Sequence, residues 1–196
     1  TYPGRLLTVV TVTFLNAMGA TPATLFFPKY LQEAHQWSAP QVSSLVVFGG
    51  ALGIMGSVFG GQVSDDRGRR LSGAVFMFVG ALFTVWIYLA RSNVVAILWI
   101  ARLFFDTASG TIMSVYSAEL FPTSHRSAAT SAQIVAGTTG GAAGLLLEEA
   151  LYAIFGSHWS AICVLTSFWA AASLAMYLYY PETAGRELEA IAPNTP

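Results

Sequence analysis

Two opposite charges stand inside an otherwise apolar run of this chain, Arg102 and Asp106 within Val94–Ala118. Four positions apart, they project from one face of a helix, one turn from each other. In hydrocarbon each charge costs about 2.5–3.5 kcal/mol, so such residues line a cavity or pair with one another. Two roles stay open on this evidence. The guanidinium could attract an anionic solute while the carboxylate carries a proton, or the two could neutralise each other and fix the helix in place. Asn16 is a further cavity-lining candidate, in an apolar run with Gly19, Thr21, Pro22 and Pro28. Each proline removes a backbone donor and kinks or breaks a helix. A helix interrupted beside polar side chains suits a solute site, although Pro28 could simply end the helix.

Other chemistry finds no footing. His35, His125 and His158 are far apart and lie between the apolar runs, so neither a metal-ligand spacing nor a nucleophile–base pair is visible. No metal or cofactor is expected, and an intramembrane enzyme would need such a constellation within the runs. Cys163, the single cysteine, reads as an inert buried thiol. Glu148 and Glu149 follow an apolar run and read as solvated. A net charge of −1 leaves no electrostatic footprint for nucleic acid.

The elements that must position these residues are long and apolar. Of the 196 residues, 55% are hydrophobic and 10% charged, against about 25% charged in globular chains. The deficit leaves too little charge to solvate an exterior, so the exterior faces lipid. A bilayer ruler of about 20 apolar residues gives six spans, 6–28, 42–63, 71–90, 94–118, 127–147 and 160–180. Five of them contain no Asp, Glu, Lys or Arg. Backbone crossing hydrocarbon must satisfy its own hydrogen bonds, which runs of this length do as helices. The expected fold is an all-α membrane protein, with a six-helix transmembrane bundle over 1–180 and a tail over 181–196.

Threading six spans puts Arg5, Arg67, Arg69, Arg70, Arg126 and Arg186 on one side, and only Lys29 and Arg91 on the other. That bias orients both termini to the cytoplasm, in an integral protein of the plasma (inner) membrane. Small residues show how the spans pack. Gly49, Gly53, Gly56 and Gly60 line the second, and Gly137/Gly141 with Gly140/Gly144 the fifth. Such spacing lets helix backbones approach closely, for packing alone or for helices that also slide.

Between the second and third spans runs Gly61-Gln62-Val63-Ser64-Asp65-Asp66-Arg67-Gly68-Arg69-Arg70. Two glycines permit a tight turn. The Asp65 carboxylate can cap exposed amides of another helix, where the macrodipole favours negative charge. This stretch resembles the signature loop of the major facilitator superfamily, G-x-x-x-D-[RK]-x-G-[RK]-[RK]. It departs at Asp66, where that family usually has a base, with Arg67 one place late. Tyr116-Ser117-Ala118-Glu119-Leu120-Phe121-Pro122-Thr123, followed by Arg126, is similar to the loop after the fourth helix of the family's C-terminal half. Pro181-Glu182-Thr183-Ala184-Gly185-Arg186-Glu187-Leu188-Glu189 is similar to the tail of its sugar- and metabolite-porter branches.

The resemblance implies the C-terminal six-helix half of a transporter that works by alternating access. Its natural partner is an N-terminal six-helix half, or a second copy that restores two bundles. It implies a cytoplasmic gate built from Asp65, Arg67, Arg69, Arg70, Glu119, Arg126 and Glu182. Sugar carriers of the family have paired glutamines in the first helix of this half and a Trp-Gly-Pro-like stretch in the fourth. Here Phe14-Leu15-Asn16-Ala17 and Ser109-Gly110-Thr111-Ile112 stand there. A small organic acid or metabolite, moved with a coupling proton, fits better than a sugar. The competing reading is a non-transporting six-helix membrane protein, an assembly partner or a receptor built on such a half.

Overall fold

The computed structural model describes residues 2–90, 92, 94–186 and 191. Arg91 and the Glu187-Leu188-Glu189 portion of the tail motif lie outside the described residues. The chain forms α1 (Tyr2–Leu25), α2 (Phe27–His35), α3 (Ala39–Arg67), α4 (Arg69–Leu89), α5 (Val95–Glu119), α6 (Thr123–Phe155) and α7 (His158–Tyr179). The first expected span is divided between two of these. Pro22 sits buried inside α1, and the helix breaks at Phe26, before Pro28. Pro28 therefore opens α2 rather than ending α1, in the first turn where its missing N–H costs nothing. Left-handed Gln36 closes α2, and Gly156, with φ of +64°, closes α6.

Five helices, α1, α3, α4, α5 and α7, are long and apolar enough to cross a membrane. The fifth expected span, 127–147, lies inside α6, which runs 33 residues, about 50 Å at 1.5 Å per residue. Length is ample there. Gln133, Thr138, Thr139 and a series of glycines dilute its apolar character, because much of α6 meets α1 rather than lipid.

The helices form an arc in the order α6–α1–α7–α4–α5–α3. Helix α1 packs on α6 and α7, while α5 packs on α3 and α4. The three-span units α1–α3–α4 and α5–α6–α7 thus exchange partners in the same pattern. The back of the arc is α4 against α7, and its open front lies between α1 and α5. Exposed side chains on α3, α4 and α7 are large and apolar, such as Phe48, Phe78, Trp86 and Leu174. By contrast, Asp106, Gly110 and Ser114 form a solvent-accessible row of non-hydrocarbon character along α5.

Glycine seams hold the two sides of the arc. A Cβ at Gly60 would lie 2.7 Å from the Ala108 backbone, and one at Gly56 would lie 2.8 Å from the Phe104 carbonyl carbon. On the other side, a Cβ at Gly140 or Gly144 would stand 2.9 Å from the Phe14 Cα or 3.0 Å from the Met18 Cα. Gly49 and Gly141 face side chains at 3.2 Å and 2.8 Å. Gly53 and Gly137 have ordinary room, at 3.5 Å and 3.6 Å. Close approach in α6 therefore belongs to Gly140, Gly141 and Gly144, and Gly137 takes no part in it.

Candidate functional site

Two polar clusters stand apart within this apolar frame. At one end of the bundle, the chain start, the α3–α4 turn, the end of α5 and the end of α7 converge. We call it the basic end. Gly68 makes the α3–α4 turn with φ of +95°, a conformation that side chains resist. This lets α4 begin at once and leaves its first amides open. Glu182 fills that gap, accepting from the backbone N–H of Arg69 at 2.8 Å and of Arg70 at 3.2 Å. Its carboxylate also takes the N–H of Thr183 and of Ala184. Burial pushes the Glu182 carboxyl up, but the four backbone donors outweigh it and hold the group below the usual glutamate range.

The capping expected of Asp65 thus falls to Glu182. Asp65 instead pairs with Arg69, one turn on, at 2.9 Å. The other guanidinium nitrogen of Arg69 pairs with Glu119 at the end of α5. One arginine so ties α3, α4 and α5, and the Glu182 cap adds the segment after α7. The remaining gate candidates stay outside this network. Arg67 is exposed at the end of α3 and makes no ion pair among the described residues. Arg70 lays its guanidinium over the Tyr177 ring at 5.4 Å. Arg126 keeps its Nε buried without a hydrogen-bond partner among the described residues. Arg5, not among the candidates, donates to the carbonyls of Leu120 and Ile191.

The second cluster bridges the front of the arc. The Arg102 side chain is 1% exposed and that of Asp106 33%, with 3.9 Å between their charged atoms. That separation is an ion pair but too long for a hydrogen bond. The guanidinium instead donates to the Thr24 hydroxyl of α1 at 2.6 Å. It lies 4.8 Å from the Trp99 ring centroid and 5.3 Å from that of Trp169, stabilising electrostatic contacts in a dry setting. Room for Trp169 comes from two glycines, since a Cβ at Gly19 would stand 2.8 Å from its Cβ and one at Gly80 3.2 Å from its ring.

The cluster is rich in donors and poor in acceptors. Arg102 Nε and Nη1, Trp99 Nε1 and Trp169 Nε1 are buried without a hydrogen-bond partner among the described residues. So is the Asn16 Oδ1 acceptor, which is not joined to Arg102 or Asp106. Trp99, three positions before Arg102, shares its helix face and was open to discovery from spacing. Thr24 and Trp169 carried no such signal, being brought in by packing from α1 and α7.

At the opposite end, Glu148 is not solvated as expected. It is 2% exposed and hydrogen bonds the His158 Nδ1 at 2.7 Å, joining α6 to α7. The His158 ring stacks on Tyr152 and tilts against Phe26. Only Glu149 of the acidic pair is exposed.

An arc of apolar helices with glycine seams, a charge network at one end and a polar front defines a membrane-embedded helix bundle. The model of the Major Facilitator Superfamily matches residues 9–194, and the chain belongs to that family, one of transporters rather than enzymes. Its fold is similar to that of the xylose transporter XylE from E. coli in an inward open conformation. The TM-score is 0.62 at 20% identity, covering 93% of this chain and 48% of that one. The partially occluded inward open conformation of XylE is similar with a TM-score of 0.57 at 21% identity, covering 91% and 48%. The chain thus spans about half the length of these transporters. No curated protein sequence matches it.

Proposed function

We propose that the chain is the C-terminal six-helix half of a secondary active transporter that moves a small organic acid or metabolite together with a proton. The observation that carries this reading is the Arg102 cluster. A buried cation with two nitrogens unpartnered among the described residues needs an acceptor. Buried donors left unpaired cost about 1–3 kcal/mol each, which an anionic solute entering from the front of the arc would relieve. Asp106, one turn away and partly accessible, would carry the coupling proton. The N-terminal half would cover the polar front and complete the cavity.

The basic end, by its arginine bias, lies in the cytoplasm. There the Asp65–Arg69–Glu119 network and the Glu182 cap act as the inner gate, made in one state of the cycle and broken in the other. The Arg69–Asp65 pair, exposed on its aspartate side, contributes about 0–1 kcal/mol, and the Arg69–Glu119 pair is drier. A network present in only one of two balanced states is enough to shift their populations.

The test is uptake by the full-length protein in liposomes, with labelled organic acids and xylose offered with and without an inward proton gradient. Saturable acid uptake that the gradient drives is expected. Arg102→Gln should lower it at least tenfold, and Asp106→Asn should abolish gradient drive while leaving acid exchange. Xylose uptake indifferent to Arg102→Gln would overturn the acid assignment.

A further inference from the structure

On the back of the arc, α4 and α7 leave an open groove of about 510 Å³. Leu71, Ala74 and Phe78 form one wall, and Ala171, Leu174 and Tyr177 the other. The Ser173 hydroxyl, also at this seam, is turned inward to the Ala74 carbonyl at 2.8 Å and offers the groove no donor. Small Ala74 and Ala171 line the groove beside bulkier Phe78 and Leu174.

The mouth of this groove lies at the basic end. Arg70 directly precedes Leu71, and its guanidinium covers the Tyr177 ring at 5.4 Å. Unlike Arg69, it makes no ion pair among the described residues. Glu182 accepts from the Arg70 backbone N–H and not from its side chain. The arginine's charge, unpaired among the described residues, thus stands at the upper edge of an apolar trough. From Leu71 to Phe78 the helix rises about 10 Å at 1.5 Å per residue. That is about two-thirds of the depth of one leaflet, taken as half of a 30 Å core.

We propose that this groove is a binding site for an anionic glycerophospholipid, with one acyl chain along the α4–α7 trough and its phosphate on Arg70. Several observations select that occupant. Apart from the Tyr177 hydroxyl, the side chains lining the groove offer no donor or acceptor to a peptide, Ser173 being turned inward. It lies on the opposite side of the arc from the polar front, where the other half of the transporter would sit. Its charge is positive at one end only, the pattern of a headgroup above a chain. The leaflet at a basic end carries anionic lipid, which attracts such arginines. The Tyr177 ring, beneath the guanidinium, holds it over the mouth instead of letting it extend into water.

Native mass spectrometry of the full-length protein, with phosphatidylglycerol or phosphatidylcholine of identical chains added, tests the site. The wild type should half-saturate with phosphatidylglycerol at an about fivefold lower concentration than with phosphatidylcholine, the increment expected of one basic side chain at an anionic headgroup. Arg70→Gln should erase that preference. Ala171→Phe, which fills the trough on a lipid-exposed position, should weaken both lipids while leaving the unfolding temperature unchanged. Arg67→Gln removes an exposed arginine at the same end and should leave the preference intact. The proposal fails if Arg70→Gln keeps the preference, if Arg67→Gln erases it equally, or if Ala171→Phe leaves phosphatidylglycerol binding as before.

Discussion

Glu182 accepts a hydrogen bond from the backbone N–H of Arg69 at 2.8 Å, across 113 positions of sequence. It is a helix cap delivered from the opposite end of the chain. Removing a capping side chain costs about 1 kcal/mol, so Glu182→Ala should lower the unfolding midpoint of the detergent-solubilised protein by a few degrees. Glu182→Gln retains an acceptor and should cost less. An unchanged midpoint in Glu182→Ala would show that the cap contributes nothing.

The same cap has a defined pH dependence. Because the folded state holds the Glu182 carboxyl below its ordinary value of 4.5, the unfolded state takes up a proton first on acidification. The contribution is therefore fully present above that value and is lost as pH falls through the lower, folded value. The stability difference between wild type and Glu182→Gln should hold from neutral pH down to about pH 5 and shrink below about pH 4. A difference that grew on acidification would reverse the sign of this assignment.

Arg69 has two carboxylate partners of different exposure, Asp65 at 65% and Glu119 at 15%. The drier pair is the stronger, so the link between α4 and α5 rests mainly on Glu119. Glu119→Gln should shift the population of the complete transporter toward the inward-facing state. Cysteine labelling from the two sides of the membrane reads this directly, and an unaltered accessibility pattern would count against a gate. Asp65→Asn should produce a smaller shift of the same sign.

The glycine seams divide the sequence stripes into positions that bear contact and positions that do not. Gly60→Ala and Gly144→Ala each drive a Cβ into the backbone of a neighbouring helix. Overpacking of this kind costs about 1–3 kcal/mol. Gly137→Ala meets only a methyl group at 3.6 Å and should be neutral. Unfolding midpoints of the three variants, measured side by side, check the ranking.

Membrane embedding and the run of long apolar helices were legible because hydrocarbon constrains sequence so tightly, but the break at Phe26 that divides the first expected span into two helices was not. The turn at Gly68 was legible for a similar reason, being local in the chain, whereas the Arg69–Asp65 pair was not, because Asp65 was expected to cap a helix. Glu182 was singled out by its motif, but its capping role was not, because the motif names a residue and not the helix it meets. Glu148 reads as solvated next to Glu149, and only the fold turns one inward. The role of Trp169 depends on two glycines in α1 and α4 that no local pattern connects to it.

The pair formed by Glu148 and His158 supplies the last test. It closes the end of the bundle opposite the basic end, where α6 turns into α7 through Gly156 and Ser157. The carboxylate is buried at 2% exposure, so it depends on the imidazole N–H for its hydrogen bond. Glu148→Ala strips that ring nitrogen of its partner and opens a void between the helices. Such a loss costs about 1–3 kcal/mol. Glu148→Gln keeps an acceptor at the same place and should recover most of the stability. His158→Asn retains a donor but gives up the stack on Tyr152, so it should fall between the two. Thermal unfolding of the three variants gives the order directly. Equal midpoints for Glu148→Ala and wild type would mean that the helix junction is held by Gly156 and the aromatic packing alone.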